Sequence, residues 1–395
     1  MTESESATQS RRARRRERME HRREDLRQFW QRVTEGRELD QLWTQFRADA
    51  RESYGLYSRE VDWDEVQKTR PWKRPFHAAW ALFQAMLMKL SPARRVLLLV
   101  AGLLFVLELP TLLVFLVARQ KHPGSADAQF FALSAALFFI LLALELADRI
   151  TMKRDLEIAR EIRHWLVPEK PPQIPGVDIA FATRPANTVA GDYYDAFLRS
   201  ASGGERLLVV VADVAGKSVP AALLMATFQA SLQALSAAAG SLDELVAGLN
   251  RYACAHSLDG RRFTTAFFAE IDPATRVLRY INAGHNAPIV RRTSGHTERL
   301  ETGGLPLGIP ADGHYESAEI KLGSGDLLVI FTDGLVEAED AAGEEFGEAR
   351  VFATLNTPPR PDAAATLQAL MAEVDRFVGM ARQHDDVTCL VLRAV

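Results

Sequence analysis

Cysteine is nearly missing from this chain, which holds two, Cys254 and Cys389, in 395 residues. Two thiols exclude a disulfide framework and a four-cysteine zinc site, and they fit a reducing compartment. Net charge is also scarce: −4, from 47 basic and 51 acidic residues. That excludes a chain built throughout for nucleic acid. No internal repeat is visible, and the N-terminus lacks the short apolar run that marks a cleaved leader. Apolar residues, by contrast, make up 48% of the chain, so wholesale disorder is excluded. The length suggests two to three units.

The apolar residues are unevenly spread. Residues 11–24 hold eight arginines against three glutamates and read as a solvated basic arm, residues 1–24, suited to anionic lipid. A helical cytoplasmic region is expected over 25–93, with a turn near Pro71 and Pro75. Two long runs follow, 96–118 and 130–147, with one charge each, Glu108 and Glu145. A bilayer-spanning helix needs about 20 residues, so both qualify and form a hairpin over 94–148, linked by Arg119–Gln129. Lys89, Arg94 and Arg95 flank the entry; Arg149, Lys153 and Arg154 flank the exit. The loop carries only Arg119, Lys121 and His122. This bias places both termini in the cytoplasm of a multi-pass inner-membrane protein. Pro110 is expected to kink the first span. Glu108 and Glu145 are expected to face each other, a second protomer or an interface.

A helical connector is expected over 149–174. Ile158, Ile162, Trp165 and Leu166 recur at helical spacing and read as a stripe that packs on the next domain or on a second copy. Pro168–Gly176 ends it.

Residues 175–395 read as one α+β domain. Strand signals fall at 177–183, 206–212, 264–271, 276–282, 326–331 and 386–393, and helical ones at 220–239, 242–257 and 363–380. Aspartates sit at the strand ends: Asp192 and Asp195 in AGDYYD, Asp213 after LLVVVA, Asp333 after LLVIFT, and Asp385 and Asp386 before VTCLVLR. Singly, each has a plain explanation as a turn residue. Together, carboxylates converging on one cleft repel one another and call for cations. A carboxylate-only donor set selects hard ions such as magnesium or manganese. Two such ions about 4 Å apart can activate a water and clamp a phosphoryl group. Metal-dependent phosphoester hydrolysis is the chemistry these residues suggest. A rival motif, DVAGKS (213–218), ends like a phosphate-binding loop but has Val211 where that motif needs glycine. His285, in NAGHNAP, reads as a structural turn residue before it reads as a ligand.

The ordered set GDYYD (191–195), DVAGKSVPAALLM (213–225), NAGHNAP (282–288), LPLGI (305–309), FTDGLVEA (331–338) and DDVT (385–388) resembles the SpoIIE-type branch of the PPM metal-dependent protein serine/threonine phosphatases. The resemblance covers about 175–395. It implies an α-β-β-α sandwich with two Mn2+ or Mg2+ ions between its sheets. It also implies that Asp192, Asp213, Asp333 and Asp385 bind the ions with the carbonyl of Val214, Asp213 bridging them. Asp386 falls where relatives have Asp or Asn and is expected to act from behind the ligands. Ala190, Tyr193, Ser218 and Ala287 depart from the usual pattern, but none removes a carboxylate. Arg184 stands eight residues before Asp192, as a candidate phosphate-binding arginine.

By that resemblance the expected substrate is a phosphorylated signalling protein, a STAS-type anti-sigma-factor antagonist in partner-switching regulation. No nucleic-acid partner is expected, and the connector offers a homodimer surface. Two alternatives stand beside this reading: a catalytically silent scaffold that binds a partner, and a small-molecule phosphohydrolase.

Overall fold

The computed structural model describes residues 73–118, 125–201, 204–216, 218–256, 262–309, 312–357 and 360–395. The basic arm, residues 25–72 with Pro71, and Arg119, Lys121, His122 and Lys217 lie outside the described residues. So do the side chains of Glu108 and Pro110. The chain divides into two compact units, Met1–Ala147 and Asp148–Val395.

In the first unit, α1 (Arg74–Lys89) precedes α2 (Pro92–Ala118), whose backbone stays helical across Pro110, and α3 (Ser125–Leu166) begins. Proline suits the first position of α2, where an N–H has no helical partner. The Ser134 hydroxyl donates to the Ala101 carbonyl at 2.9 Å, and Phe105 meets Phe138 edge-on at 6.5 Å. Glu145 pairs with Arg94 at 3.6 Å. Around these contacts Leu103, Leu107, Phe139 and Leu142 point outward, exposed. One helix of 42 residues, α3, carries both the second apolar span and the connector without a break between them.

The second unit is a sandwich of two sheets. One is ordered β1 (Val177–Arg184), β11 (Val387–Ala394), β10 (Leu327–Phe331), β6 (Ile289–Arg291), β7 (Thr297–Arg299). The other is ordered β2 (Tyr193–Ala201), β3 (Gly204–Val214), β4 (Thr264–Ile271), β5 (Val277–Ala283), β8 (Gly303–Gly304), with β9 (Ala318–Lys321) also on β5. Every pairing is antiparallel except β5 with β8.

Strand alternation builds the layers. In β10, Leu328 and Ile330 face the cluster between the sheets, whereas Leu327, Val329 and Phe331 face the outer helices. The same alternation sends Leu390 and Leu392 of β11 inward and Val387, Cys389 and Val391 outward. Helices α4 (Ser218–Ala238) and α5 (Leu242–Ala255) cover the second sheet. Helices α7 (Gly347–Leu355) and α8 (Ala363–Val378) cover the first, which completes an α-β-β-α sandwich. The short α6 (Asp333–Val336) follows β10. The start of α5 is capped from both directions: Ser241 Oγ accepts from the Glu244 N–H, and the Glu244 carboxylate accepts from the Gly240 N–H just before the cap. Among the described residues, two helices are long and apolar enough to cross a bilayer, Gln129–Leu166 and α4. Helix α4 buries Met225, Phe228 and Leu232 in its own domain.

Candidate active site

Antiparallel pairing carries the strand-end aspartates to one place. Tyr193 opposes Ala212, so Asp192, just before β2, lies beside Asp213, near the end of β3. In the other sheet Phe331 opposes Cys389, so Asp333, just beyond β10, lies beside Asp385 and Asp386, just before β11. Gly334 permits this: a Cβ there would sit 2.1 Å from the Asp386 carbonyl. Gly191 likewise lets its loop approach Ala221 and the Val214 carbonyl, 3.0 and 3.3 Å from a Cβ placed there.

The electrostatics record this convergence. Burial, then the charges of Asp333 and Asp385, pushes the Asp213 carboxyl up to about 7. Asp192 is 1% exposed, and burial followed by the Asp213 charge holds its carboxyl well above the usual range. Thr332 steadies it: its hydroxyl donates to Asp192 Oδ2 at 2.9 Å and accepts from the Thr388 N–H at 3.0 Å. Asp386 takes a different part. Its two oxygens accept the N–H groups of Ala186 and Gly191 at 2.8 and 2.7 Å, fastening the loop that presents Asp192. Among the described residues no three His, Cys, Asp or Glu side chains close into a preformed cage for an ion.

Three other candidates fall outside this cluster. Asp195 lies within β2, where it accepts from the Tyr193 hydroxyl at 2.6 Å and from Gln233 at 2.9 Å. Arg184 forms an ion pair with Asp375 of α8. His285 is buried in its turn, held by Asn282 through its backbone N–H at 2.7 Å and beside the Thr265 hydroxyl at 3.1 Å. Burial lowers its pKa to about 4, so it stands neutral. In the rival phosphate-loop motif, Gly216 (φ 121°) turns the chain, and Ser218 opens α4 at φ 63°.

Two participants carried no signal in the sequence. Thr332 was hidden inside FTDG. Arg163 was one of many connector arginines, yet it is buried, 8% exposed, and its Nη2 donates to the Asp192 carbonyl at 2.9 Å. Of the connector stripe, read as packing on the next domain or on a second copy, little packs on the domain. Ile158, Ile162 and Trp165 are exposed, and only Leu166 of that set packs on the core, beside buried Val167.

Residues 203–395 match the family model for stage II sporulation protein E (SpoIIE). The phosphoserine phosphatase RsbU of Bacillus subtilis is 31% identical over 245 residues, which cover 61% of this chain and 70% of RsbU. The chain belongs to the SpoIIE-type branch of the PPM serine/threonine phosphatases. Protein IcfG of Synechocystis sp. is 27% identical over 278 residues, 64% of this chain but 43% of IcfG, so this chain spans less than half of that relative. The solved SiaA-PP2C domain of Pseudomonas aeruginosa has the same fold. It aligns with a TM-score of 0.56 at 21% identity, covering 63% of this chain and 99% of that domain. The SpoIIE-type fold accounts for residues beyond the matched segment too, since β1 and β2, which frame Asp192, precede residue 203.

Proposed function

We propose that this chain is a membrane-anchored protein serine/threonine phosphatase that uses two Mn2+ or Mg2+ ions. The observation that carries the reading is the gathering of Asp192, Asp213, Asp333 and Asp385 at the ends of both sheets, where burial first and then the charges of Asp333 and Asp385 push the Asp213 carboxyl up to about 7. Carboxylates so placed are relieved by protons or by hard cations, and the all-oxygen donor set fits manganese or magnesium. These four side chains, with the Val214 carbonyl, would hold the ions. Bound there, the ions supply water activation and charge neutralisation for the phosphoryl group. The chain's own part is placement. Thr332 holds Asp192, Asp386 fastens the Ala186–Gly191 loop, and the glycines admit close approach of the two sheet ends.

The phosphoserine phosphatase name of RsbU supports a phosphoserine or phosphothreonine protein as substrate, and we favour a STAS-type anti-sigma-factor antagonist. The outward apolar faces of α2 and α3 support a hairpin in the inner membrane with both termini cytoplasmic. The exposed Ile158, Ile162 and Trp165 support a homodimer through the connector. A silent scaffold is the weaker reading, because all four carboxylates are present at the strand ends and Asp213 feels the charges of Asp333 and Asp385.

The deciding experiment is phosphate release from a phosphorylated STAS-domain protein with and without manganese, by wild type and Asp213→Asn. Removing one such group is expected to cost about a hundredfold or more in turnover while the fold persists. Near wild-type rates for Asp213→Asn, or full activity after proven metal removal, would overturn the reading. Activity on metabolites alone would convert it to a small-molecule phosphohydrolase.

A further inference from the structure

A fully charged guanidinium inside a protein needs a reason, and the aspartate cluster supplies one for Arg163. Burial opposes its charge, and Asp386 and Asp192 support it. Its Nη2 is committed to the Asp192 backbone carbonyl, while its Nε is buried without a partner. A side chain kept solely for stability would be replaced with little loss by an apolar one, since a buried cation with an unmet N–H is costly. Arg163 also completes a ring of contacts around one loop. Asp386 holds that loop at Ala186 and Gly191, Thr332 holds the Asp192 carboxylate, and Arg163 holds the Asp192 carbonyl. The loop that carries Asp192 is therefore held through its N–H groups, through the Asp192 side chain and through the Asp192 carbonyl, and the last of these grips comes from α3, outside the sandwich.

We propose that Arg163 is a positioning residue that sets the Asp192 backbone so that its carboxylate can receive an ion. This rests on the phosphatase reading above and adds to it a requirement for the last turn of α3. The sign of the effect separates positioning from plain electrostatics. If Arg163 acted by charge alone, removing a cation beside carboxylates would tighten Mn2+ binding. If it positions Asp192, removal weakens Mn2+ binding despite the more negative site.

The test uses the full chain in detergent micelles, with Mn2+ binding measured by calorimetry and turnover measured on p-nitrophenyl phosphate. For Arg163→Met the expected result is Mn2+ affinity lower by roughly 10-fold or more, the loss typical when a group supporting a metal ligand is removed. The KM for the phosphoester should stay unchanged at saturating metal. Arg163→Lys keeps the charge but is one bond shorter, so its affinity should fall between Met and wild type. Unchanged or tighter Mn2+ binding by a folded Arg163→Met overturns the proposal, whatever its melting temperature. If Arg163→Met does not fold, wild-type affinity in Arg163→Lys overturns it instead. Failure of the phosphatase reading looks different, because wild type itself would then show no metal-dependent turnover.

Discussion

The β-sandwich and helix α3 both contain long apolar stretches, yet they finish their burial in opposite ways. In β10 and β11 every apolar side chain from Leu327 to Phe331 and from Val387 to Leu392 is covered by the protein's own sheets and helices. On α3, Phe139, Leu142, Ile150, Ile158, Ile162 and Trp165 are exposed, Trp165 to 73%. The difference separates apolar residues covered within the fold from those that, on the membrane-anchored and dimeric reading proposed above, lipid or a second copy would cover. Arg163 marks where one regime gives way to the other. On the last turns of α3, the residues turned toward the sandwich are covered and those turned away are not.

The largest expected effect sharpens that contrast directly. Ile330 is fully buried between the sheets, so Ile330→Ala should destabilise the sandwich by about 2–5 kcal/mol, through lost transfer energy and a cavity. Leu142 is 65% exposed, and Leu142→Ala should shift stability by no more than about 0.5 kcal/mol in micelles. Thermal melts of the two variants in the same detergent check the pair. A large loss for Leu142→Ala would mean that α3 finishes its packing within the chain, and the comparison would break.

Next in size is an acid sensitivity confined to the sandwich. His285 has its pKa lowered from 6.5 to about 4 by burial, so between those values the unfolded chain binds the proton more tightly than the folded one. Its contribution is complete above pH 6.5 and is lost as the pH falls toward 4, at most about 3 kcal/mol over the window. His285→Asn, which keeps a side-chain group near the Nδ1 position facing Thr265, should flatten this part of the stability profile. Denaturant melts at pH 7, 5.5 and 4.5 measure it, and an unaltered acid slope would show that other groups dominate.

Much of this was legible before any coordinates. Long apolar runs bounded by aspartate mark β3 and β10, where it follows the run, and β11, where it precedes it, because those strands are buried on both faces and need no polar alternation. The motifs held the four converging aspartates in order. Strand β2 was not legible. Its sequence YYDAFLRSA carries Asp195 and Arg199, which look solvent-facing until Gln233 and Glu270 cover them, Arg199 pairing with Glu270 at 2.7 Å. Strands β6–β9 are too short to show a period. The connector stayed open between two readings for a related reason. Helical spacing identifies a stripe, but which stripe faces inward is decided by what lies opposite, and here the inward positions include an arginine.

The smallest expected effect concerns Arg184, the candidate phosphate ligand that sequence position offered. Its guanidinium forms a two-pronged pair with Asp375 of α8, one contact at 3.1 Å, and both side chains are substantially exposed. Exposed pairs contribute about 0–1 kcal/mol, because water already solvates both ions and ordering two long side chains costs entropy. Arg184 also borders a cavity of about 190 Å³ shared with Gly334 and Asp385, so proximity alone does not dismiss it. Its commitment to Asp375 is the stronger guide, since binding phosphate would require giving up that carboxylate. Arg184→Ala should therefore leave kcat and KM for a phosphopeptide within about twofold and stability within about 1 kcal/mol. Asp375→Ala gives the complementary measurement, as it frees the guanidinium. A KM that rises severalfold in Arg184→Ala and falls in Asp375→Ala would show that Arg184 leaves its partner to meet the phosphoryl group, and would extend the site onto the edge of β1.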